Sequence, residues 1–163
     1  MELGTAEQVA RLVEGLDEPE KATDAVRALR GMCMAKAEGR RRVYEQGAVP
    51  PVIRLLAEGD ADQQELAAGV MWLMAVDRDP PDDRREALAD AGALEPLIRL
   101  TDEGANIYVK EQAAMAIVAL CSHGSVQLRV SELGGMAPLD NFGPDYVFGP
   151  VRWPRGARVV PHM

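Results

Sequence analysis

Aromatic residues are scarce in this 163-residue chain, at 4% of the total. Sheet cores draw on aromatic and β-branched side chains, so a chain rich instead in Ala, Leu, Val and Met favours packed helices. Lysine is nearly missing: only Lys21, Lys36 and Lys110 stand beside 15 arginines. That imbalance reads as compositional bias rather than mechanism. An excess of positive charge is absent too. The formal net charge is −8, and without a basic face the chain is not a nucleic-acid binder by default.

Cysteine is limited to Cys33 and Cys121, far apart and each in an apolar run. They read as buried free thiols of a reducing compartment rather than as a disulfide. The N-terminus has no basic start followed by an apolar run, so it is not a signal peptide. Glu2 stands where myristoylation would need glycine. The longest uncharged apolar run, Leu66 to Val76, is too short to span a bilayer. These absences point to a soluble protein of the cytoplasm, with the nucleus as the alternative. A composition of 47% hydrophobic and 27% charged residues allows one domain with a substantial core.

Catalytic signatures are missing as well. There is no glycine-rich phosphate loop, nucleophile elbow or metal-ligand spacing. Cys121 and His123 stand two apart, but a zinc site needs four ligands and the only other histidine is His162. A Cys–His catalytic pair at one helix end would lack an orienting third group. The acidic runs Asp77 to Asp83 and Glu58 to Asp62 precede helix starts, where acids complement the helix dipole. Arg40, Arg41 and Arg42 read as the solvated face of a short helix. The chain is therefore expected to be no enzyme and to need no cofactor or metal.

What the chain has is a phrase that returns. "QGAVPPVIRLL" at Gln46 to Leu56 comes back as "AGALEPLIRL" at Ala91 to Leu100, and as "LGGMAPL" at Leu133 to Leu139. Its glycines, Gly47, Gly92 and Gly134, recur at intervals of 45 and 42 residues. Such a period marks a helical repeat array. Each unit parses the same way. A short helix with Val43 or Leu88 inward ends at the glycine, suited to a left-handed cap. A second helix opens with Pro50 and Pro51 in its first turn and sets Val52, Leu55 and Leu56 in one stripe. A longer Ala-rich third helix follows, with Asp60 or Asp62 as N-cap in the central unit.

These residues resemble the armadillo repeat family, over about Ala6 to Leu139. The resemblance implies an all-α fold: a right-handed armadillo-type α-solenoid of about three repeats. A partial repeat covers 6–36, repeats cover 37–77 and 82–123, and a partial repeat covers 124–139. The residues 140–163 form an irregular Pro/Gly/aromatic tail. HEAT repeats are the near alternative. A separate short first helix ending in glycine favours the armadillo pattern.

In that family the third helices line a concave groove, where recurring Trp and Asn side chains hold an extended peptide. Here the Trp column reads Arg27, Gly69 and Met115, and the Asn column reads Gly31, Leu73 and Ala119. The missing asparagines remove the backbone clamp. With Leu66, these positions suggest a small apolar groove for a helix or peptide segment of another protein, with Arg27 as an anchor for acidic groups. Trp72 reads as packing between repeats. The expected function is a non-enzymatic adaptor or scaffold. The alternatives are a substrate-recruiting fragment of a ubiquitin ligase or importin-like cargo binding. Nucleic-acid binding and membrane insertion are not expected.

The tail departs from the pattern. It carries Phe142, Tyr146, Phe148 and Trp153, with Pro144, Pro150, Pro154 and Pro161 spaced to forbid a long helix. It reads as a cap over the end of the stack, as a segment carrying a partner motif, or as a sequence artefact, such as an alternative splice or misread frame, that replaces the rest of a longer array. Two full units and two partial ones lie at the lower edge of what such arrays need. The expectation is a marginally stable protein or one that self-associates end to end. A thermal scan followed by circular dichroism should therefore show a midpoint below ~70 °C for the monomer, and clean melting above it contradicts the expectation.

Overall fold

A computed structural model describes residues 4–140, Phe142, and the backbone of residues 147–148 and 151–152. Its helices follow the repeat. A first pair comprises α1 (Ala6–Gly15) and α2 (Ala22–Ala35). The central unit comprises α3 (Ala37–Glu45), α4 (Val49–Glu58) and α5 (Ala61–Ala75). The next comprises α6 (Arg85–Asp90), α7 (Leu94–Glu103) and α8 (Ile107–Leu120). α9 (Gly124–Glu132) and the four-residue α10 (Ala137–Asp140) begin another.

Local chemistry sets these boundaries. Gly47, Gly92 and Gly134 all take positive φ, at 79°, 98° and 74°. Each follows a first helix with a left-handed residue that a Cβ would penalise. Asp60 is the N-cap of α5: it accepts from the Gln63 backbone N–H at 2.9 Å while Gln63 reaches back to the Asp60 N–H at 3.0 Å. Asn106 caps α8 in the same place, accepting from the Val109 N–H at 3.0 Å. Thr5 and Gln8 form the reciprocal pair on α1.

The third helices form the spine. α5 packs most extensively on α8, and α2 packs on α5 from the other side. α7 also lies along α8. The core cluster runs from Val9 to Leu139 without a break. In α8 every residue from Ala113 to Leu120 is buried. In α5 every residue from Ala67 to Ala75 is buried except Trp72, which is half-buried against the same core. A helix that is apolar on all sides is stable only when neighbours cover all sides, and the stacking of units supplies that cover.

Repeat-to-repeat polar contacts follow the period as well. Arg54 and Arg99 hold equivalent places in the two "IRL" phrases. Arg54 pairs with Asp17 beyond the end of α1 at 2.6 Å, and Arg99 donates to the Ala57 carbonyl near the end of α4 at 3.1 Å. Each brings a cation to the C-terminal end of the preceding unit's helix, where the helix dipole is negative. Gln63 donates to Thr23 Oγ1 at 3.1 Å, tying α5 to α2.

Beyond α10, β1 (Val147–Phe148) and β2 (Val151–Arg152) pair antiparallel and lie against α8. Phe142 is half-buried against the core. The other tail residues, among them Pro144, Tyr146, Pro150, Trp153, Pro154 and Pro161, on which the readings of the tail turn, lie outside the described residues.

Truncating the spine should cost far more than truncating a surface methionine. Ile117→Ala, at a fully buried position of α8, should lose about 3 kcal/mol in urea unfolding. Met34→Ala, at a side chain 56% exposed, should stay within about 0.5 kcal/mol of the parent.

Candidate interaction surface

α2, α5 and α8 lie side by side, so equivalent positions of three successive units share one surface. Its solvent edge is unevenly open. Arg27 and Gly31 on α2 are exposed, and Leu66 on α5 is half-buried. Gly69 and Ala119 are buried, and Leu73 and Met115 keep only 7% and 5% of their surface. Arg27, Gly31 and Leu66 are therefore open to solvent, and the other four only at their edges.

The cover over Gly69 has an identifiable source. A Cβ at Gly69 would lie 2.6 Å from Arg30 Nε, 3.0 Å from Arg30 Cδ and 3.3 Å from Gln112 Oε1. The Arg30 side chain crosses from α2 and Gln112 reaches from α8, and both settle on the glycine. Arg27 is held by Asp24 at 3.1 Å on its own helix, with both side chains largely exposed. Trp72 Nε1 and Gln112 Oε1 are buried without a hydrogen-bond partner. At the start of α8, Ile107 and Tyr108 are exposed, Tyr108 at 65%.

The arginine triplet does something the sequence reading missed. Arg40 is only 16% exposed and grips Asp77 with two hydrogen bonds of 2.7 and 2.8 Å, while donating a third, of 2.9 Å, to the Cys33 carbonyl. Arg84, 4% exposed, reaches the same Asp77 at 3.0 Å and lies over the Tyr44 ring. Arg41 binds Asp82 at 2.7 and 3.0 Å. Arg42 donates to the Gly4 carbonyl and to Glu38. Arg40 and Arg41, with Arg84, thus form a staple joining α2 and α3 to the segment before α6, while Arg42 ties α3 to the N-terminal turn. Of the "DRDPPDD" acids, Asp77 and Asp82 are its partners, while Asp83 stays at the helix start and accepts from the Arg85 backbone N–H at 3.2 Å. The signal available was the pairing of two neighbouring arginines, Arg40 and Arg41, with an acid-rich run one repeat later.

This staple sets the ionisation of its members. Burial pushes the Asp77 carboxyl up, but the hydrogen bonds and charges of Arg40 and Arg84 outweigh it and hold Asp77 below its ordinary value of 3.8. The Arg41 hydrogen bond holds Asp82 low in the same way. Both thiols are free and buried, and burial pushes Cys33 and Cys121 up to about 12, which leaves them inert as nucleophiles at neutral pH. His123 Nδ1 and Ser125 Oγ lie 2.9 Å apart, and Glu86 Oε2 is 4.0 Å from His123 Nε2. All three residues are at least partly exposed, so water competes for these contacts. Among the described residues no three His, Cys, Asp or Glu side chains gather as metal ligands, and no helix is long and apolar enough to cross a membrane.

No family model matches the chain, and no curated protein does. Solved structures do. A computationally designed armadillo repeat protein for modular peptide recognition matches over 86% of this chain and 59% of its own, at TM-score 0.76 and 24% identity. The fold is that of an armadillo-like repeat array. A second designed armadillo repeat protein, in complex with the peptide (KR)4, matches over 86% of this chain and 58% of its own, at TM-score 0.74 and 24% identity. An engineered protein matches over 82% and 55%, at TM-score 0.73 and 26% identity. The chain thus spans under two thirds of the length of these solved structures.

The staple gives a pH prediction. A carboxylate whose folded value is depressed stabilises the fold fully above its unfolded value, here near 3.8. That contribution is lost as pH falls from there through the lower folded value. The melting midpoint should therefore fall steeply below pH ~4. In Asp77→Ala the acid limb should be shallower, and stability at pH 7 should already be lower by about 3 kcal/mol, because Arg84 is left buried with its main partner gone.

Proposed function

We propose that this armadillo-like chain is a non-enzymatic adaptor that binds another protein through the solvent face of α2, α5 and α8. The working unit is the helical array of residues 1–139, with 140–163 as a separate tail. Arg27, Gly31 and Leu66 make first contact, and the rims of Gly69, Leu73, Met115 and Ala119 lie behind them. The observation that carries this reading is the alignment of three successive third helices. It places equivalent side chains in a row that no single helix could provide. The designed proteins of the same fold, one of them holding a peptide, support a peptide or protein as the bound partner.

The mode differs from a backbone clamp. Gly31, Leu73 and Ala119 have no amide to offer a partner's main chain. Recognition rests instead on side chains at the open α2 end of the row and on the half-buried apolar surface of Leu66.

An affinity column carrying the chain tests this. A partner retained by the parent should be lost from Leu66→Lys, on the surface, and kept by Leu128→Lys, which alters an exposed residue of α9 outside it. Circular dichroism must show both variants folded. Equal retention by both variants contradicts the reading.

A further inference from the structure

We propose that Arg30, seated on Gly69 beside Gln112, is the anchor for an acidic side chain of an extended segment in the partner. The proposal rests on the docking face described above and names the chemistry that face selects.

Arg30 is half-buried on α2, and its side chain reaches across to Gly69 on the middle helix of the row. Elsewhere in the fold arginines find partners: Arg27 on Asp24, Arg40 and Arg84 on Asp77, Arg54 on Asp17, Arg129 on Asp90. Among the described residues Arg11 and Arg78 make no such pair, but both are exposed, where solvent can reach their donors. Among the described residues Arg30 alone is a half-buried arginine with neither ion pair nor hydrogen bond. A guanidinium has five N–H donors, and withdrawing them from water costs free energy until an acceptor arrives.

The neighbours complete the pattern. Gln112 Oε1 is a buried acceptor without a donor, and it lies against the same glycine as the Arg30 stem. Because the Arg30 stem and Gln112 Oε1 share the space over Gly69, a move of the guanidinium would change the surroundings of that carbonyl as well. An acidic residue in an extended segment offers what both lack: a carboxylate for Arg30 and a main-chain N–H for Gln112. A basic segment would be repelled by Arg30. An apolar one would leave both groups unsatisfied. The net charge of −8 does not oppose this at contact range, because its field is screened over about 8 Å at physiological salt. Gly69 is the enabling residue, since any Cβ there would displace Arg30.

Fluorescence anisotropy of the whole chain with two labelled peptides, a Ser-Glu repeat and a Ser-Lys repeat, tests the assignment at physiological salt. The Ser-Glu peptide should bind and the Ser-Lys peptide should not. Arg30→Gln should weaken Ser-Glu binding by about tenfold or more, Arg30→Lys should restore part of it, and Gly69→Ala should weaken it without loss of helicity. Absence of Ser-Glu binding at ~1 mM, or equal binding by Arg30→Gln, overturns the anchor. The two failures separate. If the column-retained partner is lost from Leu66→Lys but kept by Arg30→Gln, the docking face stands and the anchor does not. If Leu66→Lys keeps it, the docking face itself falls.

Discussion

Two helices in this chain are apolar on nearly every side, and the rest of the fold follows from covering them. α5 and α8 have no polar face long enough to leave in water. Each must be enclosed by its own unit's second helix and by third helices before or after it. Stacking is therefore a condition for helix burial, not an addition to finished domains. The same requirement aligns α2, α5 and α8 and so creates the row of side chains on which the proposed function rests.

Polar chemistry fixes the spacing that apolar packing alone would leave loose. Arg54 and Arg99 each reach the end of the preceding unit's helix, and Arg40, Arg41 and Arg84 lock onto Asp77 and Asp82. A buried charge left unpaired is costly, so a slip between units would strand Arg84 against its ring and core neighbours. The staple lies away from Leu66 and Gly69, which leaves the α2–α5–α8 row free for a different task. Arg30 stands out against this background as a half-buried cation with no counter-charge among the described residues.

The repeat was legible because it is written in backbone-level signals. Gly47, Gly92 and Gly134 mark positions where only a left-handed residue fits, and the prolines and "IRL" phrases mark the second helices. Capping was legible too, down to Asp60 as one of two choices. The surface was less so. Column alignment placed Gly69 and Met115 on the third helices, but it could not show that Arg30 and Gln112, from different units, would close over the glycine. Nor could local reading pair Arg40 with Asp77, thirty-seven residues away, because ion pairs across repeats depend on how units rotate against each other. A run of arginines and a run of aspartates look equally like solvated surface until the stack brings them together.

Hydrogen exchange of the backbone amides, read residue by residue, tests the central claim that α5 and α8 are one enclosed spine. The slowest amides should lie in Ala67–Ala75 and Ala113–Leu120, both segments should exchange with the same free energy, and α1, α9 and α10 should open sooner. Separate opening of α5 and α8, or equal protection of α9 and α10, would contradict it.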